Sequence, residues 1–306
     1  MSIPRYPIPV VTNVVAVAAC SAIYFLLLYA ASQATTAAGV IATALLFVVV
    51  MISIYSLIHE AEHGLLVPNP AWNRILGRWL CALFGVSFAF LTHCHMRHHR
   101  KNRTDSEIWD LYLAHQVKWK RRLSLYLMLS GATYFLIVLS VVLFAFAPSL
   151  VYGGFFQRRA ETASFLEGSN RKGKIRTYRL ESWMVVAIQA AAFFILQLEL
   201  TSWLVLFAVH GFVWSSQNYV IHAFSPRDII NGAHNLKLPR WLTPVYLNFN
   251  LHLAHHQHPH VPWIHLPRLV QPSIARIGFF RNYLRLWGGP RLTLEGNPER
   301  GKHAAE

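Results

Sequence analysis

The chain has 306 residues, of which 54% are hydrophobic and only 13% charged, against about 25% charged in an average soluble domain. That argues against a soluble globular protein, and the apolar and aromatic mass excludes a disordered one. The formal net charge is +15, three cysteines are too few for a disulfide scaffold or a Cys-rich metal site, and 17 histidines are an expensive load for a chain built for lipid.

In chain order, Met1 to Pro9 carries one arginine and three prolines. The apolar run 10–31 that follows is longer than a signal-peptide core and reads as an uncleaved membrane helix. Residues 32–36 form a polar turn, and 37–58 is a second uncharged run ending at His59, so the two make a hairpin. The segment 75–91 is short and interrupted by Arg78, which predicts a partly inserted helix. The run 123–147 is long enough to cross once. The stretch 183–214 is longer still and is interrupted by Gln189, Gln197 and Glu199.

Basic residues gather at 97–103, 118–122 and 158–179, beside apolar segments, as cytoplasmic loops of membrane proteins do. With that explanation available and no nucleic-acid module visible, nucleic-acid binding is set aside. A single crossing at 123–147 would put two of these basic stretches on opposite sides. Either 123–156 is a tight hairpin that returns, giving about six spans with 183–199 and 201–221 separate, or 183–221 is one long helix and there are four. The hairpin arrangement is favoured. Both place His59, His95 and His222 on one side. The fold class is therefore an all-α integral membrane protein with four to six transmembrane helices and a cytoplasmic, histidine-rich helical cap. Its single domain, 1–306, comprises the first hairpin (10–31, 37–58), the partly inserted helix and a histidine cluster (75–122), further membrane helices with a basic loop (123–221), and the cap (222–306).

Four histidine clusters carry the chemistry. His59-Glu-Ala-Glu-His63 has i, i+4 spacing, which puts both rings on one helical face. His95-Met-Arg-His98-His99 and His252-Leu-Ala-His255-His256 share the i, i+3, i+4 pattern. Asn218 and His222 are again i, i+4. One HxxxH pair arises readily by chance, whereas this set does not. Nine imidazoles exceed the three or four ligands of a zinc site, but would suit two six-coordinate irons with positions left open for oxygen.

The clusters HEAEH, HMRHH and HLAHH, with NYVIH between them, resemble the histidine boxes of the membrane fatty acid desaturase superfamily. Gly64 after the first box, Asn73 and Gly77 on the way to the second, and His258-Pro259-His260-Val261-Pro262-Trp263 with Leu266-Pro267 after the last strengthen the likeness, which covers roughly 40–270. The resemblance implies a non-haem di-iron site that uses O2 and two electrons to cleave an unactivated C–H bond. Its ligands would be His59, His63, His95, His98, His99, His222, His252, His255 and His256. Asn218 matches the position of a weak or water-linked ligand.

His93 is expected to point away from its box. His258 and His260 are expected to be supporting or structural, and His210 to be a core histidine. His115, His234, His265 and His303 show no partner pattern, and Cys94 is left out because a thiolate would be an odd addition to an all-histidine set. Glu60, Glu62, Asp105, Asp110 and Asp228 are candidates for carboxylates that fix imidazole tautomers.

No dinucleotide fingerprint or haem segment is visible. A separate donor of ferredoxin, rubredoxin or cytochrome b5 type is implied. Arg97, Arg100, Lys101, Arg103, Lys118, Lys120, Arg121 and Arg122 would attract such a donor or only orient the protein in its membrane. The leading reading is a desaturase of a fatty acyl or related alkyl chain. The alternatives are a hydroxylase or ketolase, carotenoid oxygenation included, and a membrane metal-binding protein without catalysis.

Overall fold

A computed structural model describes residues 6–298; His303 lies outside them. Two long helices open the chain, α1 (Val10–Gln33) and α2 (Ala37–Glu62). Thr36 caps α2 by accepting from Gly39 N, and α2 is extended by one apolar turn after another until it ends in the first histidine pair. Then follow α3 (Pro70–Phe84), α4 (Phe88–Lys101), β1 (Leu111–Leu113), α5 (Lys118–Leu127) and α6 (Thr133–Phe146). Three short helices, α7 (Pro148–Val151), α8 (Gly154–Gln157) and α9 (Ala160–Leu166), lead to α10 (Lys172–Ile195) and α11 (Leu200–Asn218). The cap holds α12 (Thr243–Tyr246), α13 (His252–Gln257), α14 (Phe279–Trp287) and β2 (Arg291–Thr293), which pairs in parallel with β1.

Four stretches are long and apolar enough to cross a membrane: 10–33, 37–62, 118–146 and 200–221. Contacts refine that picture. α1 starts on the histidine face, where Asn13 donates to Leu66 O at 2.8 Å and accepts from Trp263 Nε1 at 3.0 Å. It ends beside the α10–α11 turn, where Glu199 N donates to Ser32 Oγ at 3.0 Å. α2 returns to the histidine face. α10 starts there too, with Lys174 Nζ 3.3 Å from His93 Nδ1, and α11 comes back to it. Thus α1, α2, α10 and α11 join the two ends of the bundle.

The segment 118–146 does not. Arg121 at its start pairs with Glu161 at 2.5 Å. At its other end Ala145 O accepts from Arg179 Nε, at 3.3 Å, near the start of α10. Both ends therefore lie on the histidine face, and the two basic stretches meet there. The reversal is at Met128–Ala132, a π-helical break in which Gly131 takes φ 113°, a value that suits glycine because it has no Cβ. Tyr134, just past the break, is at the deep end and donates to Phe84 O at 2.8 Å.

One expectation needs correction, and one of the two alternatives falls away. The segment 75–91 is not one short helix. It holds the junction of α3 and α4, bent by 96°, with Gly85 in a left-handed C-cap at φ 87°. A single long helix over 183–221 is also excluded: Leu196–Glu199 breaks it, and Glu199 caps α11 by accepting from Thr201 N and Ser202 N. The bend at 85–87 is pinned by Glu181, which accepts from Arg78 Nε (2.7 Å), Ser87 Oγ (2.8 Å) and Ala89 N (2.7 Å). Arg78, the charge that interrupts the apolar run, is thereby accommodated.

Candidate metal centre

Nine histidines reach one place from four elements. α2 ends in His59 and the adjoining His63, α4 carries His95, His98 and His99, a 3-10 turn after α11 ends at His222, and α13 supplies His252, His255 and His256. They form two groups: His59, His63, His95, His99 and His255, and His98, His222, His252 and His256. Within each group the candidate ligand atoms all lie within 4.8 Å of one another.

The helical period explains the division. In α4 the i, i+4 pair His95 and His99 enters the first group while His98 enters the second. In α13 the i, i+4 pair His252 and His256 enters the second while His255 enters the first. Each three-histidine box therefore straddles both groups. A shared face for all three rings, expected from spacing alone, is replaced by this interleaving.

The nitrogens are too close to be merely packed. Nε2–Nε2 distances are 2.7 Å for His63–His95 and 3.1 Å for each of His95–His99, His99–His255 and His98–His222. His98 Nδ1 lies 2.7 Å from Glu107 Oε2, and His222 Nδ1 donates to Gly232 O at 2.8 Å. Carboxylate and carbonyl oxygens accept, so in each ring Nδ1 holds a proton, and in the one-proton form that ligates a metal Nε2 holds a lone pair. Two lone pairs 3.1 Å apart repel, and a cation between them is the natural remedy. His59 Nε2 and His256 Nε2 are buried and meet no hydrogen-bond partner among the described residues. The donor set therefore fits metal ions.

Burial favours the neutral form, the one that ligates, in several of these rings. His222, His252, His255 and His256 are held well below the ordinary histidine value by desolvation, reinforced by neighbouring rings. Burial lowers His63 to about 4.

Asn218 lies one turn before His222 on the wall of an apolar cavity of about 180 Å³ that Tyr55 also lines. His95, His98, His222 and His252 line the same cavity. His93 turns away to Glu167 O (3.1 Å) and Lys174. His210 is buried among the rings of Phe47, Phe84 and Tyr134. His234 and His265 bond to backbone carbonyls of Ala223 and Pro7. Cys94 lines the cavity but joins neither histidine group.

Among the acids proposed to fix tautomers, only Glu62 lies beside a ring of the centre, with Oε2 4.0 Å from His95 Nδ1. Glu60 instead accepts from Trp263 N, Asp105 pairs with Arg227, and Asp228 accepts from Ile230 N and Asn231 N. Asp110 binds Arg103 through both oxygens at 2.7 and 3.1 Å. The sequence reading missed Glu107. Nothing in its spacing from His98 marks it, because it arrives through a loop and not along the helix. Gly232 was missed for the same reason.

A bundle of membrane-length apolar helices with nine convergent imidazoles at one end defines an integral membrane protein whose centre is compatible with metal ions. The particular family follows from comparison: the model for the fatty acid desaturase family matches residues 34–278, a span that includes all four clusters, and the chain belongs to that family. No curated protein sequence matches it.

Proposed function

We propose that this protein is an O2-dependent di-iron desaturase that introduces a double bond into a fatty acyl or related alkyl chain, with its metal centre facing the cytoplasm. The observation that carries the reading is the apolar cavity, walled on one side by His95, His98, His222 and His252. A methylene chain inside it would lie against the centre. Iron held by the nine histidines, five in one group and four in the other, would supply activation of O2 toward a C–H bond. The overall balance is one saturated –CH2–CH2– unit, O2, two electrons and two protons giving –CH=CH– and two waters.

The chain's own residues do the rest. Tyr55, Leu91, Met128, Ile137, Trp214 and Phe249 form the apolar wall, which grips methylenes and excludes water. Typical ligand sites enclose about 300–1,000 Å³, so this cavity takes a stretch of chain and leaves a head group outside. Asn218, on the wall beside the four-histidine group, is the one non-histidine proposed as a weak or water-linked ligand.

Electrons come from a separate ferredoxin-, rubredoxin- or cytochrome b5-type protein. Of the eight cations expected to receive it, Arg103 is fully buried on Asp110, Arg121 is engaged with Glu161, and Arg97 pairs with Glu167. That leaves Arg100, Lys101, Lys118, Lys120 and Arg122 for the docking role. The concentration of cations on the histidine face supports its cytoplasmic orientation.

The test supplies the iron-loaded protein with a reducing donor, O2 and membrane lipids, and reads products by mass. Loss of two hydrogens from an acyl chain is expected. Gain of one oxygen would replace the desaturase with a hydroxylase, and unaltered lipid would contradict both.

A further inference from the structure

Glu107 stands at the end of a rigid support. The loop between α4 and β1 turns at Arg103, whose φ is 60° and whose side chain is fully buried. Arg103 grips Asp110 through both oxygens, and Tyr219 Oη donates to Asp110 Oδ1 (2.7 Å) and Glu107 O (3.1 Å). Glu107 is thus held by its backbone and presents Oε2 to His98. Its side chain is 4% exposed and its other oxygen meets no partner among the described residues. Among the described residues no carboxylate comes within hydrogen-bond distance of a ring of the five-histidine group, Glu62 approaching His95 only to 4.0 Å.

We propose that Glu107 is a positioning residue for one metal alone: it fixes the ring and tautomer of His98, so the two metal positions are inequivalent, and the four-histidine position is the one that empties when Glu107 is removed. This rests on the di-iron reading above. A ligating histidine whose outer nitrogen loses its carboxylate drops metal affinity by about 10–100-fold. His99, the next residue along, and His95, three residues back in the same helix, serve the other group and keep their environment. The effect is therefore confined to one ion.

The experiment measures iron per chain in detergent-purified protein, its release to a chelator, and its EPR spectrum. Wild type carrying two irons is the baseline, and any other number overturns the di-iron reading without bearing on Glu107. Glu107→Ala is expected to retain one iron, lose the other about 10–100-fold more readily, and show the signal of an isolated ion. Glu107→Gln, whose amide oxygen still accepts from Nδ1, is expected to restore two. Glu62→Ala is expected to leave the four-histidine iron in place. Two irons with unchanged release in Glu107→Ala, or loss of both together, overturns the proposal. Should that variant aggregate, Glu107→Asp decides: one methylene shorter, it falls short of His98, and release of one iron must quicken while the second stays.

Discussion

At the scale of single residues, the centre depends on what stands behind the rings. Gly232 shows this most simply. Its carbonyl accepts from His222 Nδ1 and from Asn102 Nδ2, and a Cβ there would lie 2.1 Å from Asp228 O and 2.3 Å from Arg103 Cγ. Gly232→Ala must therefore move the loop and take the acceptor away from His222. Reduced iron content and a lower unfolding midpoint are expected, and wild-type values for both would refute the role. The neutral rings also set a pH dependence. An unfolded histidine titrates near 6.5, whereas His63 is pushed down to about 4 by burial and the cap histidines lie lower still than their ordinary value. The folded, metal-free protein binds fewer protons than the unfolded chain in this window. Its stability is complete above pH of about 6.5 and declines as pH falls toward 4. Thermal melts of metal-free protein across that range check the sign, and a flat profile would contradict it. The ring positions themselves were legible in the sequence, because i, i+4 spacing needs only a helix. Their assignment to two groups was not, since it depends on how α4 and α13 face each other across the centre.

At the scale of elements, hydropathy finds apolar length but not direction. Apolar length alone allows 123–147 one crossing, and the hairpin is favoured from sequence only because the flanking basic stretches should share a side. Only the break at Gly131 turns the segment back, and one glycine in an apolar run is a weak signal. The 96° bend between α3 and α4 was hidden in the same way, with Gly85 and Ser87 as its only marks. Arg78 was readable as an interruption, yet its partner Glu181 lies 103 residues away. Glu181 also caps the start of α4, the helix that delivers three of the nine histidines. Glu181→Ala leaves Ala89 N and the Ser87 hydroxyl without their acceptor, a cost of about 1–3 kcal/mol for each buried group so orphaned. A fall in thermal midpoint with accompanying iron loss is expected in detergent, and an unshifted midpoint would show that the bend is held elsewhere.

At the scale of the whole molecule, one end of the bundle concentrates three things: the histidines, the cations and the mouths of both returning segments. On the proposed function the low charge content and the histidine excess have a common cause, because a centre that acts on lipid has to sit where lipid and an electron donor both reach. The exposed cations Lys118, Lys120 and Arg122 allow the docking idea to be checked separately. Reversing all three charges should slow turnover with a protein donor and leave turnover with a small chemical reductant unchanged, and an equal loss with both would rule docking out. The proposed function rests on nine histidines paired around two metal ions. Anomalous scattering at the iron edge, from crystals of the iron-loaded protein, tests it most directly. The account requires two peaks, one enclosed by His59, His63, His95, His99 and His255 and the other by His98, His222, His252 and His256. A single peak, or iron bound away from these rings, would contradict it.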